Sequence, residues 1–147
     1  MAPTTGPASV ITACPGCGTR NRIPTVASGA PHCGSCHVAL PWLVDATDTD
    51  FAEIAGRAPV PVLVDLWAQW CAPCRTVAPA VEEAAAERAG SLKAVRVDVD
   101  RSPEVAARFD ARSIPTLLLL RDGQVVARQV GALGAHALRR WLQHHLG

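Results

Sequence analysis

The chain has 147 residues, enough for one domain with a small appendage and for burying about 70 % of its unfolded surface. Its 49 % hydrophobic and 18 % charged residues suit a globular protein and exclude wholesale disorder. A net charge of +1 leaves no electrostatic footprint for gripping nucleic acid or an acidic membrane, and the longest aliphatic run, Leu117 to Leu120, is far too short to span a bilayer.

Met1 to Ala13 carries no positive charge and does not read as a secretory signal. Two CxxC pairs follow, Cys14-Pro-Gly-Cys17 and Cys33-Gly-Ser-Cys36, separated by the 15 residues from Gly18 to His32. This is the spacing of a tetrathiolate metal site, in which each pair turns tightly and offers two sulfurs to one ion. Soft thiolates in a tetrahedral set select zinc or a single iron. Gly16, Gly18 and Gly34 are expected to supply the backbone angles those turns need. His32 and His37 flank the second pair, but four cysteines already complete a shell. The alternative for the four is a second redox centre without metal. Residues 1 to 44 carry only Arg20 and Arg22, so a Zn2+-loaded tetrathiolate module is close to neutral and lacks the basic face of a nucleic-acid ribbon.

From about Ala46 the pattern becomes alternating strands and helices. Leu43-Val44 starts a short strand, and Asp50 with Glu53 predicts a helix N-terminus leading into Phe51 to Ala55. Val60 to Trp67 reads as a buried central strand with Pro61 at its start, and alternation points Trp67 inward. Arg75 to Ala89 has helix propensity, with a kink expected at Pro79. Leu92 to Val99 alternates as a strand, and Pro103 to Phe109 makes a short helix. Leu117 to Arg121, the Asp122-Gly123 turn and Gln124 to Val130 form a hairpin. Ala135 to Leu146 closes the chain as a helix with Leu138, Trp141 and Leu142 on one face. The expected class is α/β, a mixed sheet flanked by helices.

The third pair, Cys71-Ala-Pro-Cys74, sits where the Val60–Trp67 strand hands over to the long helix. A helix N-terminus stabilises a thiolate on Cys71, and Cys74 lies one turn inside, placed to attack a mixed disulfide. That is dithiol–disulfide exchange; metal binding by this pair is the lesser alternative, because no second pair adjoins it.

The stretch Val62 to Arg75, with its Trp70-Cys71-Ala72-Pro73-Cys74 core, resembles the active-site segment of the thioredoxin family. Pro79, Asp98-Val99-Asp100, Ser113-Ile114-Pro115-Thr116, Asp122-Gly123 and Val130-Gly131-Ala132 also fall where that family has its marks. The resemblance covers about residues 43 to 147, and the segment before it, with its two cysteine pairs and Asn21-Arg22-Ile23-Pro24, resembles the extension of zinc-containing bacterial thioredoxins. It implies a thioredoxin fold at 43–147 preceded by a zinc-ribbon-like module at 1–42, and residues 43–147 are expected to fold without the module.

The resemblance also assigns roles. Cys71 would be the nucleophile, Cys74 the resolving thiol and Asp65 the buried carboxylate that moves a proton for Cys74. A carboxylate in so apolar a strand should itself have a raised pKa. Trp70, Ala72, Pro73, Ile114, Pro115 with a cis peptide bond, and Gly131 would form the substrate face. Cys14, Cys17, Cys33 and Cys36 would hold structural Zn2+. The expected partners are disulfide-bearing proteins and a thioredoxin reductase that brings in NADPH electrons, for a cytoplasmic monomer with no nucleic acid or membrane partner. Ala72 departs from the family's usual glycine, a change that bears on reduction potential. Two other readings stand beside the reductase: an oxidant or isomerase on the same fold, and a zinc-dependent redox-sensing or chaperone-like module.

Overall fold

The apolar strand signals become one five-stranded sheet. The computed structural model describes residues 9–147, so the uncharged N-terminal stretch read above lies outside it up to residue 8. In chain order the strands are β1 (Ser9–Ala13), β2 (Arg20–Pro24), β3 (Leu43–Asp45), β4 (Val62–Trp67), β5 (Lys93–Asp98), β6 (Thr116–Arg121) and β7 (Gln124–Val130). The helices are α1 (Ala72–Glu87), α2 (Pro103–Arg108) and α3 (Ala135–Leu146). β1 and β2 form a separate antiparallel ribbon, and the main sheet has the order β3-β5-β4-β6-β7. β3, β5 and β4 run parallel, and β6 and β7 are antiparallel additions. The mixed α/β class, the hairpin and the bounds of α3 match expectation.

Alternation along β4 assigns its two faces. Leu63 points with Leu117 and Leu119 to α1 and α3, where Val77, Val81, Leu138 and Leu142 meet them. Val62, Val64 and Leu66 point the other way, into a second core with Phe51, Val105 and Phe109. That second core also contains Cys14, Ile23, Cys33, Leu40 and Trp42. Trp42 is fully buried and its indole N–H donates to the Pro24 carbonyl at 2.9 Å. Hydrophobic packing is therefore continuous across residues 42 and 43.

Three local expectations are corrected. α1 starts at Ala72, three residues early, because Ala72-Pro73 occupy the first turn, where proline's missing N–H leaves no hydrogen bond unmade. It then runs on through Pro79. The Asp50/Glu53 cap does not form: the Asp50 carboxylate accepts from the Thr47 N–H at 2.8 Å, and the segment closes as a single π-helical turn, Ala52–Gly56. Trp67 is half-buried rather than core, and its ring carries the Arg96 guanidinium 4.5 Å from its centroid. Asp48, unremarked in the sequence, caps α2 from a distance, accepting from the N–H groups of Glu104 at 3.1 Å and Val105 at 2.8 Å.

Candidate active site and four-cysteine centre

Cys71 is the N-cap residue of α1, and its sulfur accepts the Cys74 N–H at 3.2 Å. The two cysteines are joined as a disulfide across a Cα–Cα distance of 5.4 Å, and both are buried. Helix start and strand end thus deliver the pair to one spot, where free N–H groups and the helix dipole favour negative charge on sulfur. Ala72 and Pro73 lie exposed on the first turn. Trp70, 70 % exposed, leans over on a hydrogen bond from its indole N–H to the Asp100 carboxylate at 2.8 Å. The Ile114–Pro115 peptide is cis. Ile114 packs against the small cluster of Ala68, Cys71 and Cys74, and the Gly131 N–H donates to the Pro115 carbonyl at 2.9 Å. Gly131 has φ +101°, a conformation that excludes most side chains.

Asp65 sits in the middle of β4, fully buried, between Arg96 of β5 and Leu117 of β6. One carboxylate oxygen accepts from Arg96 Nε at 3.2 Å; the other has no hydrogen-bond partner among the described residues. Burial raises the Asp65 carboxyl above its ordinary range, and the opposing Arg96 charge and hydrogen bond do not cancel that. Arg96 is the Asp65 partner that the sequence did not disclose, since the pairing depends on the register of two parallel strands separated by α1. With Cys74, Trp67 and Gln69 it lines a cavity of about 280 Å3 beside the dithiol. Buried carboxylate, guanidinium, cavity and Cys74 therefore form one chain of neighbours.

This environment has a measurable consequence. With its folded-state pKa raised, ionised Asp65 destabilises the fold above the unfolded value of about 3.9, and that penalty vanishes below it. Asp65→Asn is expected to melt higher than wild type at pH 7 and to lose the advantage below about pH 4. Thermal unfolding across that range checks it; an equal gain at pH 3 and pH 7 would assign the effect to packing instead.

The other four cysteines come together in the segment that precedes β3. Cys14, Cys17, Cys33 and Cys36 place their sulfurs within 4.8 Å of one another, with Cys14–Cys36 and Cys17–Cys33 both at 3.6 Å. A tetrahedral Zn2+ with Zn–S bonds of about 2.3 Å needs sulfurs roughly 3.8 Å apart, so the cluster fits that ion. Each pair makes the same knuckle: the Gly18 N–H donates to the Cys14 carbonyl at 2.8 Å, and the His37 N–H to the Cys33 carbonyl at 3.0 Å. Of the three glycines expected to bend these turns, only Gly18 has positive φ (+79°); in the second knuckle that position is His37 (+69°).

Hydrogen bonds favour charge on two of the sulfurs. The Cys36 and Ser35 N–H groups, aided by the Asn21 amide, hold Cys33 down at about 5. The Thr19 hydroxyl and backbone lower Cys17. Cys36 is pushed up to about 11: the Val38 N–H lowers it, and desolvation with the facing thiols outweighs that pull.

A thioredoxin family model matches residues 43–144. The chain belongs to the thioredoxin family. It is 52 % identical to the thioredoxin of Mycobacterium tuberculosis over 99 residues, 67 % of this chain and 85 % of that one. The Haemophilus influenzae thioredoxin is 46 % identical over 99 residues, 67 % and 92 % of the two chains. Thioredoxin C-3 of Corynebacterium nephridii is 37 % identical over 140 residues, 93 % of this chain and 96 % of that one, so its match runs through the cysteine-rich segment as well. As a thioredoxin the protein is a protein-disulfide oxidoreductase, and Cys71–Cys74 is the pair whose geometry fits that chemistry. Among the described residues no helix is long and apolar enough to cross a membrane.

Proposed function

We propose that this thioredoxin works as a reductase of protein disulfides, and the observation that carries the reading is Cys71 as the N-cap of α1 with Cys74 one turn behind it. The Cys71 thiolate attacks one sulfur of a substrate disulfide, forming a mixed disulfide and expelling the other substrate sulfur as a thiolate. Cys74 loses its proton to Asp65 and attacks the Cys71 sulfur, which releases the second substrate thiolate and leaves Cys71–Cys74 oxidised. The two electrons gained by the substrate come from the dithiol, which thioredoxin reductase restores at the expense of NADPH. Trp70, Ala72, Pro73, Ile114, Pro115 and Gly131 form the face on which the substrate chain lies, and Arg96 positions the Asp65 carboxylate. The protein acts in the cytoplasm as a monomer.

Residues 1–42 are a metal-binding module and 43–147 the catalytic domain. Cys14, Cys17, Cys33 and Cys36 hold Zn2+, which supplies a structural crosslink. Elemental analysis is expected to give one zinc per chain, lost in Cys17→Ser; a metal-free wild type with four titratable thiols would overturn this. Peroxide that ejects the ion and creates a new binding activity would favour a redox-sensing role instead.

Equilibration of the zinc-loaded protein with a defined thiol buffer tests the direction of electron flow. A potential near about −270 mV is expected for a reductase. A value of about −180 to −120 mV would place the protein with isomerases and oxidants.

A further inference from the structure

Beside the cis-Pro115 loop lies a cleft of about 410 Å3 that none of the roles above uses. Its walls are Asp110, Arg112, Ser113, Thr116, Arg128 and Val130. These residues bracket the substrate face: Ser113 and Thr116 flank Ile114–Pro115, and Val130 precedes Gly131, whose N–H is tied to the Pro115 carbonyl. Thr116 and Val130 are directly opposed in the β6–β7 ladder, so the cleft opens beside the cis-proline.

Its charges are unevenly satisfied. Asp110 is committed to Arg112 at 2.7 Å. Arg128, two residues along β7 from Val130, donates to the carbonyl of Phe109 at the end of α2, which fixes its guanidinium on the wall. No carboxylate among the described residues pairs with it. The cleft thus holds two guanidinium groups and one carboxylate, leaving one positive charge without a counter-ion.

We propose that this cleft is a charge-selective subsite that takes an acidic side chain of the disulfide-bearing substrate, with Arg128 as the specificity-determining residue. The proposal rests on the reading of Ile114, Pro115 and Gly131 as the substrate face. A chain lying there has side chains within reach of the cleft a few residues from the attacked cysteine, and a carboxylate there meets Arg128 without displacing Asp110. The contact is solvent-accessible, which limits it to a few-fold preference that weakens with salt.

The test uses disulfide-bonded peptides identical except for Glu, Gln or Lys at positions two and three residues to either side of the attacked cysteine. Wild type is expected to prefer Glu over Lys by about three- to fivefold in kcat/KM at one of these positions, mainly through KM, with the ratio shrinking at high salt. Arg128→Gln should bring the ratio to about one, and Arg128→Lys should restore part of it. The wild-type arm stands even if loss of the Phe109 tie unfolds Arg128→Gln. Equal turnover of the Glu and Lys peptides by wild type, or a preference unchanged in folded Arg128→Gln, would overturn the subsite. Failure to reduce even the Gln peptide would overturn the reductase reading, and the subsite with it.

Discussion

Cys71→Ser is expected to lose disulfide-reducing turnover by on the order of 10^3-fold or more, the scale seen when a covalent nucleophile is removed. Cys74→Ser is expected to fail differently, accumulating a mixed disulfide between Cys71 and the substrate. The difference follows from the helix start. Cys71 is the cap and its sulfur accepts the Cys74 N–H at the positive end of the helix, so charge on that sulfur is stabilised. A serine hydroxyl there takes the same hydrogen bond, but it does not ionise near neutral pH and cannot open a disulfide. In the proposed order of attack the sulfur at position 74 serves only to attack Cys71, so its loss should leave the first step intact and block the second. Non-reducing electrophoresis and mass spectrometry of each variant after mixing with a disulfide substrate separate the outcomes. Adducts on Cys71→Ser in place of Cys74→Ser would reverse the assigned order of attack.

Features decided within a few residues were legible in the sequence. The Asp122-Gly123 hairpin and the apolar stripe of α3 are local patterns, and both appear within the expected bounds. The two knuckles are local too, although a histidine takes the left-handed position of the second. What escaped reading is what depends on partners far along the chain. Asp50 and Asp48 offer cap-type carboxylates in neighbouring positions; Asp50 folds back on Thr47, while Asp48 reaches α2, 56 residues away. Arg96 and Lys93 look like ordinary charges in an alternating strand. The fold turns one toward the buried Asp65 and buries the other against Thr25, Trp42 and Ile54. Periodicity says which face a residue takes, and it carries no information on what crosses over to cover that face.

Deleting residues 1–42 is expected to cost the remaining chain its cooperative fold, against the expectation from the sequence that 43–147 would stand alone. Trp42, Leu40 and Ile23 lie in the same core as Val44, Val62 and Val95, and large-to-small replacement of a buried tryptophan alone costs about 3–5 kcal/mol. That is a large share of the roughly 5–15 kcal/mol that holds a domain together. The deletion also strips Lys93. Its ammonium donates to the carbonyls of Thr25 at 2.5 Å and Ile54 at 2.7 Å and lies 4.3 Å from the Trp42 ring centroid. Two of those three neighbours belong to the module. Burial pushes Lys93 down to about 8, below its unfolded value of about 10.4, so the charged form is disfavoured in the fold. Its penalty is full below about pH 8 and fades between there and about pH 10.4, so this group makes the wild type more stable as pH rises through that window. Trp42→Ala is expected to open the site to water, lower the melting temperature and flatten that rise. Near-ultraviolet circular dichroism and thermal melts of the deletion, with a pH series on Trp42→Ala, are the measurements. A truncated chain that melts as sharply and as high as the full one would show that the module is an independent appendage despite the shared core.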